Sequence, residues 1–110
     1  MVNQAAEKVV KHLCLTFSKK FDDFKGLYLF GAYLENFVEN DEDIEIIALF
    51  ETEDRSKREQ IWPLIGKTET DFDVTIDLYP FTEESFKKDE DLYNEVMEEG
   101  IFYNPAGIRQ

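Results

Sequence analysis

The stretch LYLFGAYLENFVENDEDIEIIALF, residues 27–50, holds an apolar run, a glycine, an acidic loop and a second apolar run that opens with carboxylates. The two apolar runs have strand character. In a strand successive side chains alternate faces, so Asp43 and Glu45 project to one side. Ile44, Ile46, Ala48 and Phe50 then project to the other. Two carboxylates side by side on an extended backbone repel each other. A divalent cation is the usual compensation, and hard oxygen ligands suit Mg²⁺ or Mn²⁺. The alternative is a solvated strand start after an acidic loop.

A further acid falls where such a site would need it. The segment FDVTIDLYPF, residues 72–81, alternates. Phe72, Val74, Ile76 and Leu78 share one face, and Asp73, Thr75, Asp77 and Tyr79 the other. If this strand lies beside the Asp43 strand with apolar faces matched, Asp77 joins Asp43 and Glu45. Such a trio can hold one or two metal ions that bind phosphate oxygens and activate a hydroxyl.

With these residues in view, the sequence resembles the DNA polymerase beta-like nucleotidyltransferase superfamily. Gly31, with Asp43-Ile44-Glu45 beginning twelve positions on, looks like its Gly-Ser…Asp-x-Asp signature. The likeness is greatest to the minimal nucleotidyltransferases, small prokaryotic antitoxin or partner subunits. It covers most of the chain. Leu27 to Gly31 resembles the family's first strand and turn, Thr75 to Leu78 its third-carboxylate strand, and Glu95 to Tyr103 its terminal helix and short strand. The resemblance implies an α+β, two-layer nucleotidyltransferase fold with helices on a small mixed sheet. It implies Asp43, Glu45 and Asp77 as catalytic metal ligands, with Mg²⁺ or Mn²⁺ as cofactor, and Gly31 and Ala32 as nucleotide contacts. The partners it implies are an NTP, a helical toxin-like protein, and a second copy of the chain. Three positions depart from the pattern. Ala32 stands for the turn serine, Glu35 for a basic residue, and Glu45 for the second aspartate. The metal half of the site is retained and the phosphate half weakened. Two functions follow: an active nucleotidyltransferase acting on a protein or small-molecule hydroxyl, or a degenerate partner or antitoxin subunit.

The 110 residues suffice for one domain with a modest core. Twenty-five acids against 12 bases leave a formal charge of -13. From Glu35 to Asp54 there are nine acids and no Lys or Arg. A polyanionic acceptor such as nucleic acid is therefore disfavoured. No run is long and apolar enough for a membrane span, and no signal peptide is evident, so a cytoplasmic location is expected. The lone Cys14 excludes an internal disulfide and reads as a small core residue. His12 has no companion ligands and reads as a surface or boundary residue.

Val9, Val10, Leu13, Cys14, Phe17 and Phe21 recur at helical spacing, predicting a helix from about Asn3 to Lys20. Strands are expected over Leu27–Phe30, Ile44–Glu51 and Phe72–Tyr79, with a short edge strand at Ile101–Tyr103. A short helix is expected over Ala32–Phe37 and a loop over Val38–Glu42. Arg55–Leu64 is expected to be helical and to end or kink at Pro63, leaving turns over Gly66–Asp71. Pro80 is expected to end the third strand. Helical stretches begin at Thr82 and continue over Asp91–Glu99, Gly100 stops them, and Asn104–Gln110 frays. Trp62 reads as a core anchor. Tyr33 and Tyr79 are boundary aromatics or base-stacking candidates. Lys25, Arg55, Lys57, Arg58 and Lys67 are candidate phosphate contacts.

Overall fold

The computed structural model describes residues 3–35 and 42–104. The chain runs α1 (Gln4–Lys20), β1 (Phe24–Phe30), a 3₁₀ turn (Gly31–Leu34), β2 (Ile44–Phe50), α2 (Arg55–Phe72), β3 (Ile76–Phe81), α3 (Glu83–Lys88), α4 (Glu90–Glu99) and β4 (Ile101–Tyr103). Most of the expected loop over Val38–Glu42, the end of the expected Ala32–Phe37 helix, and the tail beyond Asn104 lie outside the described residues.

The four strands form one sheet in the order β3-β2-β1-β4. β1 is antiparallel to both β2 and β4, whereas β2 and β3 run parallel. A parallel pair needs a crossover, and α2 provides it. The expected α+β class, with helices on a small mixed sheet, is what the chain adopts. Helices cover both faces, so α3 and α4 add a layer to the expected two. On one face α1 and α2 bury Val9, Leu13, Phe17, Ile61 and Ile65 against Leu27, Leu29, Ile44, Ile46, Ala48, Phe50, Ile76 and Leu78. On the other, Phe86 and Val96 of α3 and α4 pack on Phe30, Ile47 and Leu49. The period-two pattern of β2 is thus expressed as two cores.

α1 follows its apolar stripe. Asn3 caps it by accepting the Ala6 N–H at 3.1 Å, and Lys19 and Lys20 sit at its negative end. Cys14 is buried. β1 begins at Phe24 rather than Leu27, with an irregularity in its pairing between Phe24 and Gly26. Gly26 has φ +139° under the Phe102 ring, which leaves no room for a side chain.

α2 departs most from expectation. It runs through Pro63 and Gly66 to Phe72, eight residues beyond Leu64. Lys57, Ile61, Ile65 and Thr68 recur at helical spacing and bury one continuous face. That burial outweighs the hydrogen bond lost at Pro63. Asp54 caps the start, accepting the Lys57 N–H at 2.9 Å. Asp73 ends the helix in the left-handed conformation, φ 55° and ψ 53°. β3 therefore starts at Ile76, not Phe72. It also continues through Pro80 to Phe81. Pro80 is tolerated because β3 is an edge strand, where a missing N–H interrupts no second ladder. Trp62 is not a core anchor: it is 46% exposed, one position off the buried face of α2. Thr82 and Ser85 form a reciprocal capping box at α3.

Candidate active site

Asp43 immediately precedes β2, and Glu45 is its second residue. In the sheet, Glu45 pairs with Asp77 on β3 and with Phe30 on β1. The Ile44 N–H donates to the Thr75 carbonyl at 2.8 Å, which locks the register at this end. Glu42, Asp43, Glu45 and Asp77 line one cavity of about 230 Å³. The three carboxylates singled out in the sequence are therefore brought together, and Glu42 is added to them. Among the described residues, no three acidic, histidine or cysteine side chains are drawn close enough to hold a metal ion.

The local electrostatics are one-sided. Burial pushes the Glu45 carboxyl above its ordinary range, and the negative charges of Glu95, Asp77, Asp43 and Glu42 push it further. Glu95 reaches this region from α4, and nothing in the strand patterns indicates it. Tyr79 donates its hydroxyl to Asp77 Oδ2 at 2.7 Å. That hydrogen bond, with burial and nearby acids, raises the Tyr79 hydroxyl to about 12. The contact is legible as an i, i+2 pair on one strand face, although Tyr79 by itself suggests base stacking instead. Its ring lies 6.3 Å from that of Phe30.

Gly31 follows the strand residue opposite Glu45. It has φ +80°, and a β-carbon there would run into the Glu45 carboxylate. Gly31 is thus needed both for the turn and for the close approach of that acid. Ala32 lies in the 3₁₀ turn, its carbonyl accepting the Glu35 N–H at 3.2 Å. Tyr33 packs against the first core and donates to the Glu42 carbonyl at 3.2 Å.

None of the five candidate phosphate-binding cations lines the acidic cavity. Lys25 pairs with Glu83, Arg55 with Glu59, Lys57 with Asp23, Arg58 with Glu53 and Lys67 with Asp71. A cavity bounded by four carboxylates suits a hard cation in donor chemistry. The perturbed Glu45 fits that reading, because an uncompensated carboxylate is held above its usual range. The arrangement is open rather than closed: Asp77 has one oxygen occupied by Tyr79, and the three carboxylates share a cavity without closing to the spacing of a common ion.

Comparison with solved structures gives a match to a chain of the crystal structure of the toxin–antitoxin pair MntA–HpeT, a mutant in which two aspartates are replaced by glutamate. The TM-score is 0.58 at 22% sequence identity, covering 84% of this chain and 70% of that one. The two chains therefore share a fold, a small mixed sheet with helices packed on it. No protein-family model matches the chain, and no curated protein matches it. No helix among the described residues is long and apolar enough to cross a membrane.

Proposed function

We propose that the protein is a metal-dependent nucleotidyltransferase that moves a nucleoside monophosphate from an NTP to a hydroxyl of a protein or small molecule. The observation that carries this reading is the convergence of Asp43, Glu45 and Asp77 on one cavity beside the Gly31 turn. Asp43 and Glu45 would hold the ion that accompanies the triphosphate, and Asp77 would hold or orient a second. A bound Mg²⁺ or Mn²⁺ would neutralise phosphate charge and favour loss of the acceptor proton. The chain's own contribution is position: Tyr79 fixes Asp77, the β2–β3 register sets Glu45 opposite it, and Gly31 lets backbone approach the phosphates.

A second reading has specific support. Among the described residues no basic one lines the cavity, Ala32 lacks a hydroxyl, and the similar fold belongs to a structure described as a toxin–antitoxin pair. On that reading the chain is a degenerate subunit that binds a toxin-like protein.

The test is labelling. Purified protein with radiolabelled NTPs, Mn²⁺ and a lysate of its own cell is expected to label an acceptor. Asp43→Asn and Asp77→Asn should each reduce the label by at least about a hundredfold, as for loss of a principal electrostatic group. Absence of label, with both variants still behaving as wild type in the cell, replaces the enzyme with the partner subunit.

A further inference from the structure

The second core contains another cavity, remote from the acids. It measures about 200 Å³ and lies between the sheet and the helices α3 and α4. Leu49 forms part of its floor, four residues along β2 from Glu45, or roughly 13 Å away. Its sides are aromatic. Phe86 and Tyr93 meet edge to face with ring centroids 5.1 Å apart. Tyr28 lies 4.8 Å from Phe102 and 6.0 Å from Phe86. Met97, 41% exposed, also lines it.

The charge around this cavity runs against the rest of the molecule. The chain has 25 acids and 12 bases, yet the lining has two lysines, Lys25 and Lys87, and one acid, Glu83. Lys25 is neutralised by Glu83 at 3.0 Å. Lys87 is exposed, forms no salt bridge among the described residues, and lies within electrostatic reach of the same Glu83. A ring-lined space whose described lining holds two lysines and one acid suits a ring that carries negative charge. The size is also limiting: an apolar cavity of about 150 Å³ accepts one benzene ring.

We propose that this cavity binds a small aromatic carboxylate, with its ring among Tyr28, Phe86, Tyr93 and Phe102 and its carboxylate at Lys87. The site is independent of the nucleotidyl-transfer reading, since it shares no residue with the acidic cavity. Recognition combines aromatic packing in the cavity with an exposed ion pair at its mouth.

The experiment uses the full chain with ¹³C-methyl methionine. Met97 lines the cavity and reports on it, its methyl signal being assigned by its loss in Met97→Leu. Phenylacetate is expected to shift the Met97 methyl saturably. Phenylacetamide should bind about two- to fivefold more weakly, the contribution of one exposed ion pair. Lys87→Gln, at an exposed position and checked for folding by circular dichroism, should remove that difference. Tyr93→Ala should weaken both ligands. The proposal is overturned if neither ligand shifts Met97, or if acid and amide bind equally to wild type. Tighter binding of phenyltrimethylammonium than of phenylacetate would also overturn it, by making the rings a cation cage.

Discussion

Glu45 and Gly31 constrain each other. The carboxylate lies where any side chain at position 31 would begin, and Gly31 carries φ +80°. Gly31→Ala should cost about 1–2 kcal/mol from the left-handed backbone, read from urea unfolding. It should also displace the Glu45 carboxylate and weaken Mn²⁺ binding, read by calorimetric titration. Glu45 itself opposes folding at neutral pH. Its folded pKa is raised above the ordinary 4.5, first by burial and then by the surrounding acids. A raised value means that its stabilising contribution is full below pH 4.5 and is lost as pH rises through the folded value. Without metal at pH 7, Glu45→Gln should therefore raise Tm by about 2–4 °C, a gain held small by solvent screening. The gain should disappear below pH 4.5. Millimolar Mn²⁺ should reverse the order, because only the carboxylate gains from the ion. Scanning calorimetry across pH, with and without Mn²⁺, checks both statements.

At the scale of elements, α2 shows how packing overrides a local breaker. Pro63 removes one helix N–H, yet Ile61, Ile65 and Thr68 on either side are buried in the first core. The helix therefore stops only where its apolar face ends. It stops at Asp73, whose left-handed backbone is a position that glycine occupies without strain. The Asp73 side chain is exposed. Asp73→Gly should stabilise the protein by about 0.5–1 kcal/mol, seen as a higher urea midpoint with an unchanged slope. The same turn sets where β3 can begin, and so sets the register that places Asp77 opposite Glu45.

At the scale of the molecule, one cation connects elements far apart in sequence. Lys57 of α2 pairs with Asp23 before β1 and donates to the Thr52 carbonyl at 2.9 Å. Its ammonium also lies 4.7 Å from the centre of the Phe50 ring. Burial pushes the Asp23 carboxyl up, but the Lys57 and Thr52 hydrogen bonds outweigh it and the net shift is downward. A lowered value means that the contribution is present above pH 3.8 and is lost as pH falls through the folded value. Lys57→Met should destabilise by about 2–3 kcal/mol at pH 7, below the usual cost of stranding a buried charge because water and Thr52 still serve Asp23. The loss should shrink in acid. Urea unfolding of both proteins across pH measures it.

The alternation of acids and aliphatics is legible in the amino-acid sequence alone. Asp43 and Glu45 against Ile44 and Ile46, and Asp77 against Ile76 and Leu78, are local consequences of strand geometry. That alternation, with Gly31 at its distance, is enough to indicate the sheet and the shared face of the acids. The α1 stripe is legible for the same reason. The fate of each proline is not. Pro63 lies inside a helix and Pro80 inside a strand, because the cost of a missing N–H depends on what packs around it and on whether a neighbouring strand needs it. Trp62 cannot be placed without knowing which face of α2 is buried. The approach of Glu95 to Glu45, the pairing of every candidate phosphate-binding cation elsewhere, and the aromatic cavity all arise between elements distant in sequence. Periodicity determines which way a side chain points along its own element, whereas its neighbours are decided only when the layers close.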